Sequence, residues 1–86
     1  MEVYFKPSFV RQYKRLDPNL QIEVKEKIEF FKNNNNNFHL KIYKLKGSFG
    51  GTYSFSVNYK TRIVFEYLSK EEAVLLAVGS HDVYKK

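Results

Sequence analysis

Tyr53-Ser54-Phe55-Ser56-Val57, Arg62-Ile63-Val64-Phe65-Glu66-Tyr67 and Ala73-Val74-Leu75-Leu76-Ala77-Val78 decide the fold. The first run alternates with period two, the pattern of a strand with one face on a core. The second is rich in β-branched and aromatic side chains, which suit a pleated surface. The third is apolar throughout, as expected of a strand in the interior of a sheet. Asn58-Tyr59-Lys60 and Ser69-Lys70-Glu71-Glu72 carry the turn-forming residues between them, and Gly79 ends the last run. Three consecutive strands with short turns predict an antiparallel meander.

Working towards the N-terminus, Asn33-Asn34-Asn35-Asn36-Asn37 reads as a loop that ends a helix, because Asn competes for backbone hydrogen bonds. Before it, Leu20, Val24, Ile28 and Phe31 mark one face of a helix running from Pro18 to about Lys32. Asp17 is placed to cap it and Pro18 fits its first position. Phe9, Val10, Tyr13 and Leu16 fall at helical spacing and predict a shorter helix over residues 8–16. Val3 and Phe5 alternate in a strand over residues 2–6, which Pro7 closes. The predicted fold class is α+β, in the order β-α-α-β-β-β. A helical hairpin covers one face of an antiparallel sheet, and the other face is left as a partly open concave surface.

A chain of 86 residues has room for one domain, spanning residues 1–86. Eight Phe and seven Tyr supply most of its core, each buried ring removing about 150–250 Å² from water. The absence of cysteine excludes disulfides and thiolate metal sites. No run approaches the roughly 20 apolar residues of a membrane span, and the first residues do not form a signal peptide. A cytoplasmic protein without a membrane partner is expected.

The formal net charge is +6. No acidic residue occurs between Glu29 and Glu66, an interval that holds Lys32, Lys41, Lys44, Lys46, Lys60 and Arg62. Such a field favours phosphate or an acidic protein partner, although a solvated lysine surface has the same composition. In an extended segment, Tyr43 and Leu45 face one way and Lys44 and Lys46 the other. A basic ridge beside aromatic side chains is what single-stranded nucleic acid requires. Arg62 can hold a phosphate through two parallel hydrogen bonds; the alternative is a sheet-edge charge paired with Glu66 or solvent. His81 follows the strand-ending Gly79, Asp82 can orient its ring or raise its pKa, and Tyr84 can stack on a base. The alternative for this tail is a frayed chain end. His39 reads as a loop residue, and Gly50-Gly51 as a tight turn and no phosphate loop. Two histidines and few acids leave a metal site short of ligands, so metal-free, cofactor-free chemistry on RNA is expected. Its surface is residues 38–46 and the C-terminal tail.

Four stretches together resemble the RelE/ParE family of bacterial toxins: Leu40-Lys41-Ile42-Tyr43-Lys44-Leu45-Lys46-Gly47, Gly51-Thr52-Tyr53-Ser54-Phe55-Ser56-Val57, Arg62-Ile63-Val64-Phe65 and Val78-Gly79-Ser80-His81-Asp82-Val83-Tyr84. The tail is most similar to the YafQ type, whose members cleave messenger RNA. The resemblance implies a β-α-α-β-β-β sandwich, ribosome-dependent cleavage of messenger RNA that inhibits translation, and a cognate acidic antitoxin. It implies His81 as acid or base with Tyr43 or a lysine as counterpart. Arg62, Lys44 and Lys46 would hold phosphate, with Lys41, Lys60 and Asp82 in the same RNA surface, and Tyr84 would stack. Tyr43, Ser56 and Lys60 stand where YafQ-like toxins carry histidine, histidine and aspartate. Two other readings stay open: a ParE-like inhibitor that binds DNA gyrase, and a non-toxic binding module with the same fold.

Overall fold

A computed structural model of the chain describes residues 1–34, 40–45 and 51–80. The elements are β1 (Glu2–Phe5), α1 (Pro7–Lys14), α2 (Pro18–Asn34), β2 (Tyr43–Lys44), β3 (Thr52–Ser56), β4 (Arg62–Ser69) and β5 (Glu72–Gly79). One five-stranded sheet has the order β1-β5-β4-β3-β2. The meander β3-β4-β5 is antiparallel as predicted. Two features correct the expected sheet. β1 pairs with β5 in parallel, Val3 opposite Ala73, so the sheet is mixed. The segment before the meander adds a short antiparallel edge strand, β2, on β3.

Local chemistry sets the helix ends. Asp17 Oδ1 accepts the Leu20 N–H at 3.0 Å and caps α2. Pro7 opens α1, which stops at Lys14, two residues short of the predicted end, where the Arg15 N–H turns back to Gln12 O and the Leu16 N–H to Tyr13 O. The α2 face fell where its spacing placed it: Val24, Ile28 and Phe31 are buried and Leu20 packs beside them. Val10 does not follow; it lies on the outer side of α1, 37% exposed.

The core is an aromatic stack between α2 and the sheet. Phe31 descends onto Phe55 and Phe65, with centroids 4.8 and 5.0 Å away. Tyr53 and Tyr67 extend the cluster along the sheet, 5.7 and 5.1 Å from Phe65. Stacked and edge-on pairs like these add about 0.5–1.5 kcal/mol each beyond their buried area.

β5 contains an insertion that fixes everything after it. Val64 pairs with Ala77 but Phe65 pairs with Leu75, so Leu76 is an extra residue, a β-bulge. Ala73 and Leu75 point into the core, and strict alternation would send Val78 to the opposite face. The bulge resets the phase, and Val78 is buried in the core. Side chains of α1 satisfy the backbone groups around the insertion. Ser8 Oγ donates to the Leu76 carbonyl at 2.7 Å, and the Val78 N–H donates to Gln12 Oε1 at 2.9 Å. Gln12→Leu should therefore destabilise the protein by about 1–3 kcal/mol, the cost of a buried N–H left without a partner. Urea denaturation with an unchanged m-value checks this.

Candidate phosphate-binding site

The sheet face away from the helices carries Thr52, Ser54 and Ser56 from β3 and Arg62, Val64 and Glu66 from β4, by strand alternation and register. The concave open surface predicted there is not found: Thr52, Ser54, Arg62 and Val64 are all buried. Arg62 lies on the central strand of the sheet and is 8% exposed. The sequence alternative of an edge charge paired with Glu66 is thereby overturned. No acidic side chain among the described residues pairs with the guanidinium.

Its surroundings are specific. Nη1 donates to Ser56 Oγ at 3.1 Å, from the residue directly opposite Arg62 in the ladder. Ser56 Oγ can in turn donate to the Asn58 carbonyl at 3.4 Å. The guanidinium carbon lies 5.0 Å from the centre of the Tyr43 ring, a cation–π contact. Tyr43 is on β2, so the Arg62 side chain reaches across β3 to touch it. Nε and Nη2 are buried without a hydrogen-bond partner, and so is Ser54 Oγ.

The turn after β3 is tied down. Asn58 Oδ1 accepts the N–H groups of Lys60 and Thr61 at 2.9 and 2.8 Å, and Asn58 Nδ2 donates to Glu23 Oε1 at 2.7 Å. Lys60 stands exposed on this turn, two residues before Arg62. Lys44 is exposed on β2, and Lys41 is exposed in the turn before it with φ +54°. No described residue forms an ion pair with any of the three lysines. Gly79 is opposite the backbone of Arg62 in the β4–β5 ladder, two residues before His81 in the sequence. Lys46, His81, Asp82 and Tyr84, like His39, lie outside the described residues. At Gly51, φ is +84°, consistent with the predicted turn; Gly50 lies outside the described residues.

The structure thus joins two predicted residues, Arg62 and Tyr43, and sets Lys44 and Lys60 on the adjoining strand and turn. Ser54 was not foreseen. Its signal was parity: it shares the Arg62 face with Ser56, and both positions are hydroxyls.

No family model matches the sequence, and no curated protein does. Solved structures do. A YoeB/ParE toxin from Agrobacterium tumefaciens superposes with a TM-score of 0.76 at 19% identity, covering 94% of this chain and 99% of that one. The DinJ–YafQ complex of E. coli contains a chain matching with a TM-score of 0.75 at 16% identity, covering 99% and 98%. The fold is that of the RelE/ParE toxins. The YoeB–YefM complex of Staphylococcus aureus matches likewise, with a TM-score of 0.74 at 20% identity, covering 94% of this chain and 97% of that one.

A buried cation that no acid among the described residues pairs with opposes folding of this RelE/ParE-like domain. Even a buried ion pair is often replaced by apolar side chains of similar volume at no cost or with a gain of about 1–4 kcal/mol, and an unpaired cation has less to lose. Arg62→Met should accordingly raise the midpoint of thermal unfolding of the free protein by several degrees, measured by calorimetry in anion-poor buffer.

Proposed function

We propose that this chain is the toxin of a type II toxin–antitoxin pair and cleaves messenger RNA on the ribosome without a metal ion. The observation that carries the reading is Arg62: a buried cation with two free N–H donors, on a sheet face where the described residues give it no acid. Retaining such a group costs stability, which fits a role in binding an anion. The RelE/ParE fold and the acid-free interval from Glu29 to Glu66 point the same way.

The proposed reaction is transesterification. A base removes the proton of the 2′-hydroxyl, and its oxygen attacks the adjacent phosphorus. The bond to the 5′-oxygen breaks, and an acid protonates that leaving group. The products are a 2′,3′-cyclic phosphate and a 5′-hydroxyl. Arg62 stabilises the charge that gathers on the non-bridging oxygens. His81 serves as acid or base, with Asp82 orienting it and Tyr43 as its counterpart. Lys41, Lys44, Lys46 and Lys60 bind the flanking backbone, and Tyr84 stacks on a base. One well-placed proton-transfer group contributes typically about 10²–10⁴-fold. Induced expression in bacteria tests the assignment. Wild type should arrest growth and yield messenger cuts in codon register, whereas Arg62→Ala and His81→Ala should each lose arrest by at least an order of magnitude in viability. Equal toxicity of all three would remove the site, and DNA breaks with intact messenger would point to gyrase instead.

YafQ and YoeB are each crystallised with a partner, DinJ and YefM. We infer an acidic antitoxin for this chain. The buried sheet face offers no open surface for it, but an apolar groove of about 280 Å³ lies between β1 and the helices, floored by Phe5, Phe9, Val10, Tyr13 and Ile28. Lys25 and Lys32 stand on its rim with Glu29. An amphipathic acidic segment matches both features. Val10→Asp should weaken antitoxin binding about tenfold or more without changing growth arrest in cells lacking the antitoxin. Calorimetric titration and the arrest assay separate the two effects.

A further inference from the structure

Two of the three orphaned polar atoms on the site face belong to one edge of one group. Nη1 of Arg62 is taken by Ser56, and the guanidinium carbon lies over the Tyr43 ring. The free donors, Nε and Nη2, form the side-on fork of the guanidinium, the edge that holds two oxygens of one oxyanion by parallel hydrogen bonds. The third orphan is Ser54 Oγ, on a side chain that is 0% exposed. Ser54 is opposite Tyr43 in the β2–β3 ladder, and Ser56 is opposite Arg62 in the β3–β4 ladder. An Arg62 side chain that reaches Tyr43 therefore crosses β3 over these two serines, the only β3 side chains between its own ladder position and that of Tyr43 on this face. Ser56 occupies one end of the guanidinium, and Ser54 is the hydroxyl on the side towards Tyr43.

We propose that the Nε/Nη2 fork of Arg62 and the hydroxyl of Ser54 form a preorganised site for one tetrahedral phosphoryl group, with Ser54 its third donor. The proposal deepens the RNA-cleaving reading, on which it rests for the phosphodiester as natural ligand. A carboxylate is planar and is filled by the fork alone. A phosphoryl group has a further oxygen out of the fork's plane, which gives a third donor a use. The serines also act differently: Ser56 holds the guanidinium in place, whereas Ser54 has no bond to lose and so has no structural role as a donor. Entry requires a side chain to move, and Tyr43, 55% exposed on a two-residue edge strand, is the one that lies over the guanidinium.

The test uses the full chain labelled with ¹⁵N, following the Arg62 Nε–H resonance. Inorganic phosphate should shift it saturably, and a short 2′-O-methyl oligoribonucleotide, which cannot be cleaved, should compete for the same resonance. Arg62→Lys keeps the charge but removes the fork and should weaken phosphate binding at least tenfold. Ser54→Ala should weaken it about three- to tenfold, while its thermal unfolding in phosphate-free buffer stays at or above that of wild type. That combination is one a packing role would not produce. An unresponsive Nε–H, or wild-type phosphate affinity in Ser54→Ala, would overturn the proposal. A response to polyglutamate and none to phosphate would also overturn it, assigning the fork to a protein carboxylate. Saturable phosphate binding by a protein that neither arrests growth nor cuts RNA would leave the site standing and remove the functional reading. Growth arrest and RNA cutting by a wild-type protein whose Nε–H does not respond to phosphate would do the reverse.

Discussion

A strand carries its side chains alternately up and down, and one inserted residue reverses every side chain beyond it. The insertion at Leu76 does this in the strand that joins the N-terminal half of the chain to the meander. It buries Val78 and it puts Gly79 across from Arg62. A bulge breaks the ladder locally, so its backbone groups must find partners elsewhere. Ser8 and Gln12, one helical turn apart on α1, provide them. The first helix therefore does more than cover the core: it holds the phase of the last strand up to Gly79. The parallel pairing of β1, which leads directly into α1, supports the same arrangement from the other edge of β5.

The two faces of the sheet follow opposite logic. Towards the helices, Phe31, Phe55, Phe65, Tyr53 and Tyr67 fill the space with rings, and the favourable burial is concentrated there. On the other face, buried positions are occupied by Thr52, Ser54 and Arg62, which gain little from leaving water. A small domain has limited core with which to offset such losses. Three orphaned polar atoms within two neighbouring strands are thus a local departure from the rule that buried polar groups are paired. All three belong to one face of the sheet, on β3 and β4.

Much of this architecture was legible in the residues. The periodicities at 53–57 and 62–67 placed β3 and β4, the 20-24-28-31 spacing placed the buried face of α2, and Asp17-Pro18 placed its start. Features that depend on non-local pairing were not legible. Nothing in Val3-Tyr4-Phe5 states that β1 runs parallel to β5. The bulge was hidden because Leu75 and Leu76 are both apolar, so the phase change leaves no mark on the hydrophobic pattern. β2 is two residues long, too short for any period. Val10 satisfied helical spacing yet faces outward, where the groove with Phe5 gives it a different neighbourhood. In the site, the identity of Arg62 was informative but its burial was not, since a strand-opening arginine reads as an edge charge until the strand order is known. Ser54 read as the polar half of an alternation, and only its lack of a partner distinguishes it.

Ser56 also bears on how much chemistry the proposed site can do. A cleaving phosphodiester concentrates negative charge on its non-bridging oxygens, and enzymes meet that charge with cations and move protons with positioned acids and bases. Here Ser54 and Ser56 flank one guanidinium, so hydroxyls stand where further charged or titrating groups could have stood. The remaining described lysines near the site, Lys44 and Lys60, are exposed and unpaired on an edge strand and a turn. Exposed lysines act on the RNA backbone through a screened field and fix no geometry. Under the proposed reading, then, the protein supplies one rigid phosphate contact and a diffuse attraction, while alignment of the 2′-hydroxyl with the scissile bond comes from elsewhere. Orientation alone can account for several orders of magnitude in rate. A catalyst built this way would depend on a partner that holds the RNA in register, so the proposed reading calls for ribosome-bound messenger and not free RNA as substrate.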